Sequence, residues 1–205
     1  MQGTTFLMKP LILLVLTGIT ALSCSRGQHE AGDQSEAAAR AIREAQRAMA
    51  LFERGRLAEA KAAFFTVRLH FTELFGPRDP ATLNSRNNLA SVLHAMGDYE
   101  EAEAANRAAL TMCERSLGRL HPDALASRRN LAVTLLNLGK LEDALEHARR
   151  VESGRRRVFG TEHPEYEEAV LLKESIEEAL ERGKQDDEAP RGGPTGLGES
   201  AVGVS

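Results

Sequence analysis

Tryptophan is absent from this 205-residue chain, and only seven Phe and two Tyr are present. With so few flat rings, neither an aromatic-lined pocket nor a stacking platform for single-stranded nucleic acid is expected. Basic residues are not in excess either. The formal net charge is −4 and the isoelectric point lies near 5.9, so the footprint that phosphate-backbone binding needs is missing and no nucleic-acid partner is expected. Two Cys cannot build a disulfide framework or, unaided, a structural zinc site. Val and Ile together number 13, against 57 for Ala and Leu. That imbalance disfavours a sheet and favours an all-α fold. No Gly-rich phosphate loop, His-Glu-x-x-His or nucleophile elbow occurs. No catalytic residue, metal site or cofactor is therefore expected, and the chain reads as a non-enzyme.

One long apolar run is present, Leu11–Leu22, preceded by Lys9 and followed by Ser23-Cys24. It is too short for a comfortable transmembrane helix, which needs about 20 residues, and it suits the apolar region of a secretory signal. The ending Thr20-Ala21-Leu22-Ser23-Cys24 resembles a bacterial lipobox. The resemblance implies a lipoprotein signal peptide over 1–23 and lipidation of Cys24. It also implies a cell-envelope location, on the periplasmic face of the outer membrane in a Gram-negative host, since Ser25 rather than Asp follows the Cys. An ordinary cleaved signal, an uncleaved anchor, or a soluble cytoplasmic chain with a misread start are the other readings. Both Met1 and Met8 are candidate starts.

What the chain does have is a period. Phe75-Gly76, Leu117-Gly118 and Phe159-Gly160 lie 42 apart, as do Asp79-Pro80, His121-Pro122 and His163-Pro164. Gly55, Gly97 and Gly139 keep the same step, and so do Ala60, Ala102 and Ala144. Asn88-Leu89-Ala90 recurs as Asn130-Leu131-Ala132. Asp or His before Pro is a helix start, because the side chain can cap and Pro at the first turn lacks an N–H that would be unpaired anyway. The mid-repeat Gly suits a tight helix–helix turn. The recurring Ala suits a close helix crossing. Each period is thus a helical hairpin. First helices are predicted at about 38–54, 81–96, 123–138 and 165–182, and second helices at about 58–74, 100–117 and 142–158. Apolar residues lie on more than one side of each hairpin, so neighbours must stack.

The runs Asn88–Ala102 and Leu117-Gly-Arg-Leu-His-Pro-Asp123 resemble the tetratricopeptide repeat. The 42-residue step with Leu-Gly-x-x-His-Pro-Asp resembles its kinesin-light-chain-like subtype. The resemblance implies an α-α superhelix, a solenoid of about three helix pairs plus a C-terminal capping helix. The array is placed at 37–183, with repeats at about 38–79, 80–121 and 122–163 and a cap at 164–182. Residues 24–36 are read as the lipidated Cys with a flexible tether, and 184–205 as a disordered tail rich in Pro and Gly.

The resemblance also implies a function. Such arrays bind an extended peptide or partner protein along a concave groove lined by the first helices. The groove residues are then Asn84, Asn87, Asn88, Ser91, Arg129, Asn130 and Asn137, flanked by Gln46, Ala126 and Val133. A carboxamide offers two donors and an acceptor to any extended main chain, and Arg129 can grip a carboxylate. Asn in this subtype also bonds between neighbouring repeats, so both roles stand open. A scaffold that uses its outer helices in an envelope complex is the alternative reading. The basic group Arg149, Arg150, Arg155, Arg156 and Arg157 is either a solvated helix face or a surface for an acidic partner or anionic headgroups. His121 and His163 are read as caps rather than ligands, and Cys113 as a buried, inert thiol. Oligomeric state is not legible.

Overall fold

The computed structural model describes residues 28–188, with side chains over residues 34–185. The signal segment, Cys24 and the tail beyond Glu188 lie outside the described residues. Within them the chain forms seven α-helices and no strand: α1 (Gln28–Glu53), α2 (Leu57–Phe75), α3 (Pro80–Met96), α4 (Tyr99–Leu117), α5 (Pro122–Asn137), α6 (Leu141–Phe159) and α7 (Pro164–Glu188). Each helix packs on its successor. The result is three hairpins and a seventh helix, stacked as a solenoid.

The periodic residues set the boundaries. Asp79 Oδ1 accepts from the Ala81 N–H at 2.8 Å, His121 Nδ1 from Asp123 N–H at 3.2 Å, and His163 Nδ1 from Glu165 N–H at 3.1 Å. Both histidines are caps, each accepting through Nδ1 and hence carrying its proton on Nε2. Gly97 ends α3 in the left-handed region (φ 85°, ψ 4°). Its N–H donates to His94 O at 3.0 Å while the Asp98 N–H donates to Leu93 O at 3.1 Å, the paired bonds of a Schellman turn. Gly55 and Gly139 make the same pair. At all three positions a Cβ would be strained by the positive φ.

Two boundaries differ from the sequence expectation. Helix α1 starts at Gln28, inside the stretch read as a tether, and α7 runs to Glu188, into the stretch read as tail. Once a helix is nucleated, each added residue gains a hydrogen bond at small entropic cost. The segment between Gln28 and Ala38 holds no Pro, and Pro190 is the first Pro after Pro164.

The core follows the crossings. Ala60, Ala102 and Ala144 are fully buried, which lets paired helices meet closely. Phe64 packs with Ala48, Leu51, Phe52 and Val92 at one end of the stack. Leu131, Leu135, Ala148 and Ile176 pack at the other. The turn of the array puts the first helices inside: α3 meets α5 and α5 meets α7 directly, whereas no two second helices approach to that extent. The concave face is therefore built on α1, α3, α5 and α7.

Candidate functional site

Residues 42 apart occupy equivalent places, so the concave face is read in rows that cross the first helices. Asn84, Ala126 and Glu168 form one row, Asn88, Asn130 and Leu172 another, and Ser91, Val133 and Ser175 a third. Asn87, Arg129 and Leu171 make a fourth. Helix α3 is the most enclosed: Asn84, Asn87, Asn88 and Ser91 are all buried, so it forms a recessed polar floor. Gln46 and Asn137 are exposed on the rims.

The hydrogen bonds divide these residues into two sets. Asn87 Oδ1 accepts from Ser127 Oγ at 2.7 Å, and Asn130 Nδ2 donates to Ser91 Oγ at 3.2 Å. Ser91 Oγ in turn donates to Asn87 O at 3.0 Å. These bonds join α3 to α5 and fix one repeat on the next. Asn137 Nδ2 closes on Val133 O in its own helix at 2.8 Å. Asn84 and Asn88, by contrast, make no side-chain hydrogen bond among the described residues, and their polar atoms are not sealed from solvent. One helical turn apart on α3, they present unfilled donors and acceptors from the floor.

Arg129 joins them from α5. Its side chain is 17% exposed and its Nε lies 3.5 Å from Glu168 Oε2, yet that Nε has no hydrogen-bond partner. Burial lowers the guanidinium pKa; Glu168 opposes this and Arg155 adds to it. Arg129 stays charged and incompletely satisfied, the state in which an incoming carboxylate gains most. Arg155 is not a surface cation: it is 4% exposed. It pairs with Glu165 at 2.5 Å and Glu168 at 3.2 Å and donates to Glu165 O at 2.7 Å, tying α6 to α7. Sequence reasoning grouped it with the surface arginines because contiguity along a helix says nothing about which face is covered.

Sequence reasoning missed Leu171. At 65% it is the most exposed large apolar side chain among the described residues, in the row of Asn87 and Arg129, where the 42-residue step would have found it. The titratable groups elsewhere are structural. His94 Nδ1 lies 3.2 Å from Thr134 Oγ1, which also accepts from Asn106 Nδ2 at 3.1 Å and donates to Asn130 O at 2.9 Å. Cys113 is free and fully buried, and burial raises its thiol pKa. Among the described residues no cluster of three His, Cys, Asp or Glu is placed to hold a metal ion. No helix among them is long and apolar enough to cross a membrane.

Solved structures with the same fold include a kinesin-light-chain protein of Podosopora anserina with nearly identical TPR-like repeats. It is 22% identical over 76% of this chain and 79% of that one, with a TM-score of 0.57. A single-residue variant of it matches at 23% identity and the same TM-score, over 74% and 77%. BtubC (BKLC) from P. vanneervenii covers 94% of this chain and 79% of its own, at 15% identity and a TM-score of 0.62. No curated protein sequence matches significantly. The tetratricopeptide repeat family model matches residues 38–115 and 84–157, more than half of the chain. With 42-residue helical hairpins stacked in register and a concave face built from their first helices, the chain belongs to the tetratricopeptide repeat family.

Proposed function

We propose that this protein is a non-catalytic adaptor, tethered to a membrane, that holds an extended segment of a partner protein in its concave groove. Tetratricopeptide repeats generally bind protein or peptide partners. The observation that carries the reading here is the unfilled hydrogen-bonding capacity of Asn84, Asn88 and Arg129 on a face where Asn87, Asn130 and Asn137 are bonded. Two carboxamides can pair with a main chain of any sequence. Arg129 supplies a fixed charge for a side-chain or terminal carboxylate. Leu171 offers an apolar contact in the same row.

Photo-crosslinkers placed at the rim positions Gln46 and Asn137 are expected to capture a partner in cells. Asn84→Ala with Asn88→Ala should abolish the capture while leaving helicity intact. Asn130→Ala should mainly loosen the repeat junction. Capture that survives the α3 double substitution would refute the groove.

The anchor is proposed on sequence alone: the lipobox-like Thr20–Cys24 after a twelve-residue apolar run supports a lipid on Cys24, with Ser25 favouring the periplasmic face of the outer membrane in a Gram-negative host. Several acyl chains on one residue would hold the protein stably. Metabolic labelling with clickable palmitate should mark the wild type and not Cys24→Ala; an unlabelled wild type would overturn the anchor.

A further inference from the structure

The convex side carries a groove of about 810 Å³ between α4 and α6, floored by α5. Its lining includes one departure from the repeat. The positions 42 apart on the second helices are His70, Met112 and Gly154. His70 bonds Glu44 at 2.7 Å, and Met112 packs against the cluster of Leu83, Cys113 and Ala124. Gly154 has no side chain, and the place a Cβ would take is filled by Leu125 Cδ2 at 2.5 Å; both residues line the groove.

The groove carries a surplus of cations, with Arg119, Arg128, Arg149, Arg150 and Arg157 against Glu114, Glu142 and Glu146. Arg119 stands where the preceding repeat has Pro77, and Arg150 where it has Ala108. Arg149 and Arg157 lie on the same wall, eight residues or about 12 Å apart along α6. Arg119 and Arg157 make no ion pair among the described residues. Arg149 and Arg150 pair with Glu177 and Glu146 but are 62% and 58% exposed, and exposed pairs of that kind exchange at little cost. The groove's Glu114 is neutralised by the buried Arg128, which also meets His147 Nδ1 at 3.3 Å. The apolar part of the lining is Leu120, Leu125, Leu145 and Leu180.

We infer that this convex groove is a second docking site, for an acidic peptide segment of a partner protein that also carries a leucine-sized apolar side chain. Carboxylates meet Arg119, Arg149 and Arg157 while the apolar side chain packs on Leu120 and Leu145. A peptide fits the groove better than a membrane does, because a flat anionic surface cannot enter between α4 and α6 to reach the partly buried Leu145. The site is separate from the concave face, so one array could bridge two partners.

The test is fluorescence anisotropy on the full chain, with a fluorescein-labelled peptide of repeated Glu-Glu-Leu and its Gln-Gln-Leu counterpart. The acidic peptide should bind saturably, and the neutral one should not. Arg119→Glu with Arg157→Glu, both exposed and therefore compatible with folding, should weaken binding about tenfold or more. Asn84→Ala with Asn88→Ala should leave it unchanged. The inference is overturned if the acidic peptide does not saturate, if the two peptides bind alike, or if the loss follows the α3 substitutions. Competition by inorganic phosphate at equal concentration would reduce the site to a simple anion site. Binding to phosphatidylglycerol vesicles that depends on Arg119 and Arg157, without peptide binding, would make it a membrane contact.

Discussion

Replacing Gly154 by alanine sets two effects of known size against each other. A Cβ at this position would lie 2.5 Å from Leu125 Cδ2, 3.3 Å from Cδ1 and 3.5 Å from Cγ. Alanine gains about 1 kcal/mol of helix preference, while forcing a methyl into a packed neighbour costs about 1–3 kcal/mol. Leu125 is 2% exposed and can yield only toward the groove it lines. Gly154→Ala should therefore destabilise the array by up to about 2 kcal/mol. Leu125→Ala alone should cost about 2–5 kcal/mol through the cavity it leaves. In that background Gly154→Ala meets no Cδ atom, so the helix preference emerges and the sign reverses to a gain of about 1 kcal/mol. Urea unfolding followed by far-UV circular dichroism on the four proteins of the cycle gives the coupling. If Gly154→Ala stabilises equally in both backgrounds, contact with Leu125 does not explain the glycine.

Three further outcomes are expected. Arg155→Ala should cost about 3 kcal/mol in denaturant unfolding, because it leaves Glu165 and Glu168 without their buried partner; Arg155→Lys should rescue little, since an ammonium cannot reproduce the fork. Burial depresses the pKa of His94, and burial followed by Arg128 depresses that of His147, both from an ordinary value of 6.5. The folded state thus favours neutral rings, so their stabilisation is complete above about 6.5 and is lost as pH falls through the lowered folded values; His94→Asn, which can still donate to Thr134, should flatten the acid limb of the melting temperature. In a Cys24→Ser chain, Cys113 should react with a thiol reagent only as fast as the array opens, and prompt labelling would contradict its burial.

The period made the fold legible because its anchor residues act locally. A cap, a left-handed glycine and a small crossing residue each need only their own turn of chain, so the sequence places helix ends within a few residues over α2 to α6. The site was legible only to the level of rows. Asn87 and Asn88 are neighbours in sequence, yet Asn87 is bonded to Ser127 and Asn88 is not bonded. That difference depends on a hydroxyl 40 residues away, which periodicity cannot reveal. Arg155 was misplaced for a related reason. Its equivalents Phe71 and Cys113 are both buried, and that row was a better guide than the four arginines around it. The groove at Gly154 was hidden because repeat alignment draws the eye to what recurs, and this feature is a departure.

Helix α7 shows what the same rows mean when they change character. Leu83 and Leu125 become Glu167, Leu89 and Leu131 become Lys173, and Leu93 and Leu135 become Glu177. Leu83, Leu131 and Leu135 pack with their own second helices, whereas on α7 Glu167 is exposed and Lys173 and Glu177 turn toward α6. The inner face of α7 still buries Ala169 and Ile176. Ions supplement that contact: Lys173 pairs with Glu152 at 3.2 Å and Arg149 with Glu177 at 3.2 Å. Helix α3, covered on nearly all sides, makes no ion pair among the described residues. Amide exchange should therefore be faster in α7 than in α3, since opening α7 exposes less apolar surface. Salt should widen the gap. Screening the exposed pairs removes up to about 1 kcal/mol, or roughly fivefold in exchange rate, from α7 and leaves α3 unchanged. Equal protection in the two helices, or an equal response to salt, would show that these more exposed ion pairs add nothing measurable to the last interface.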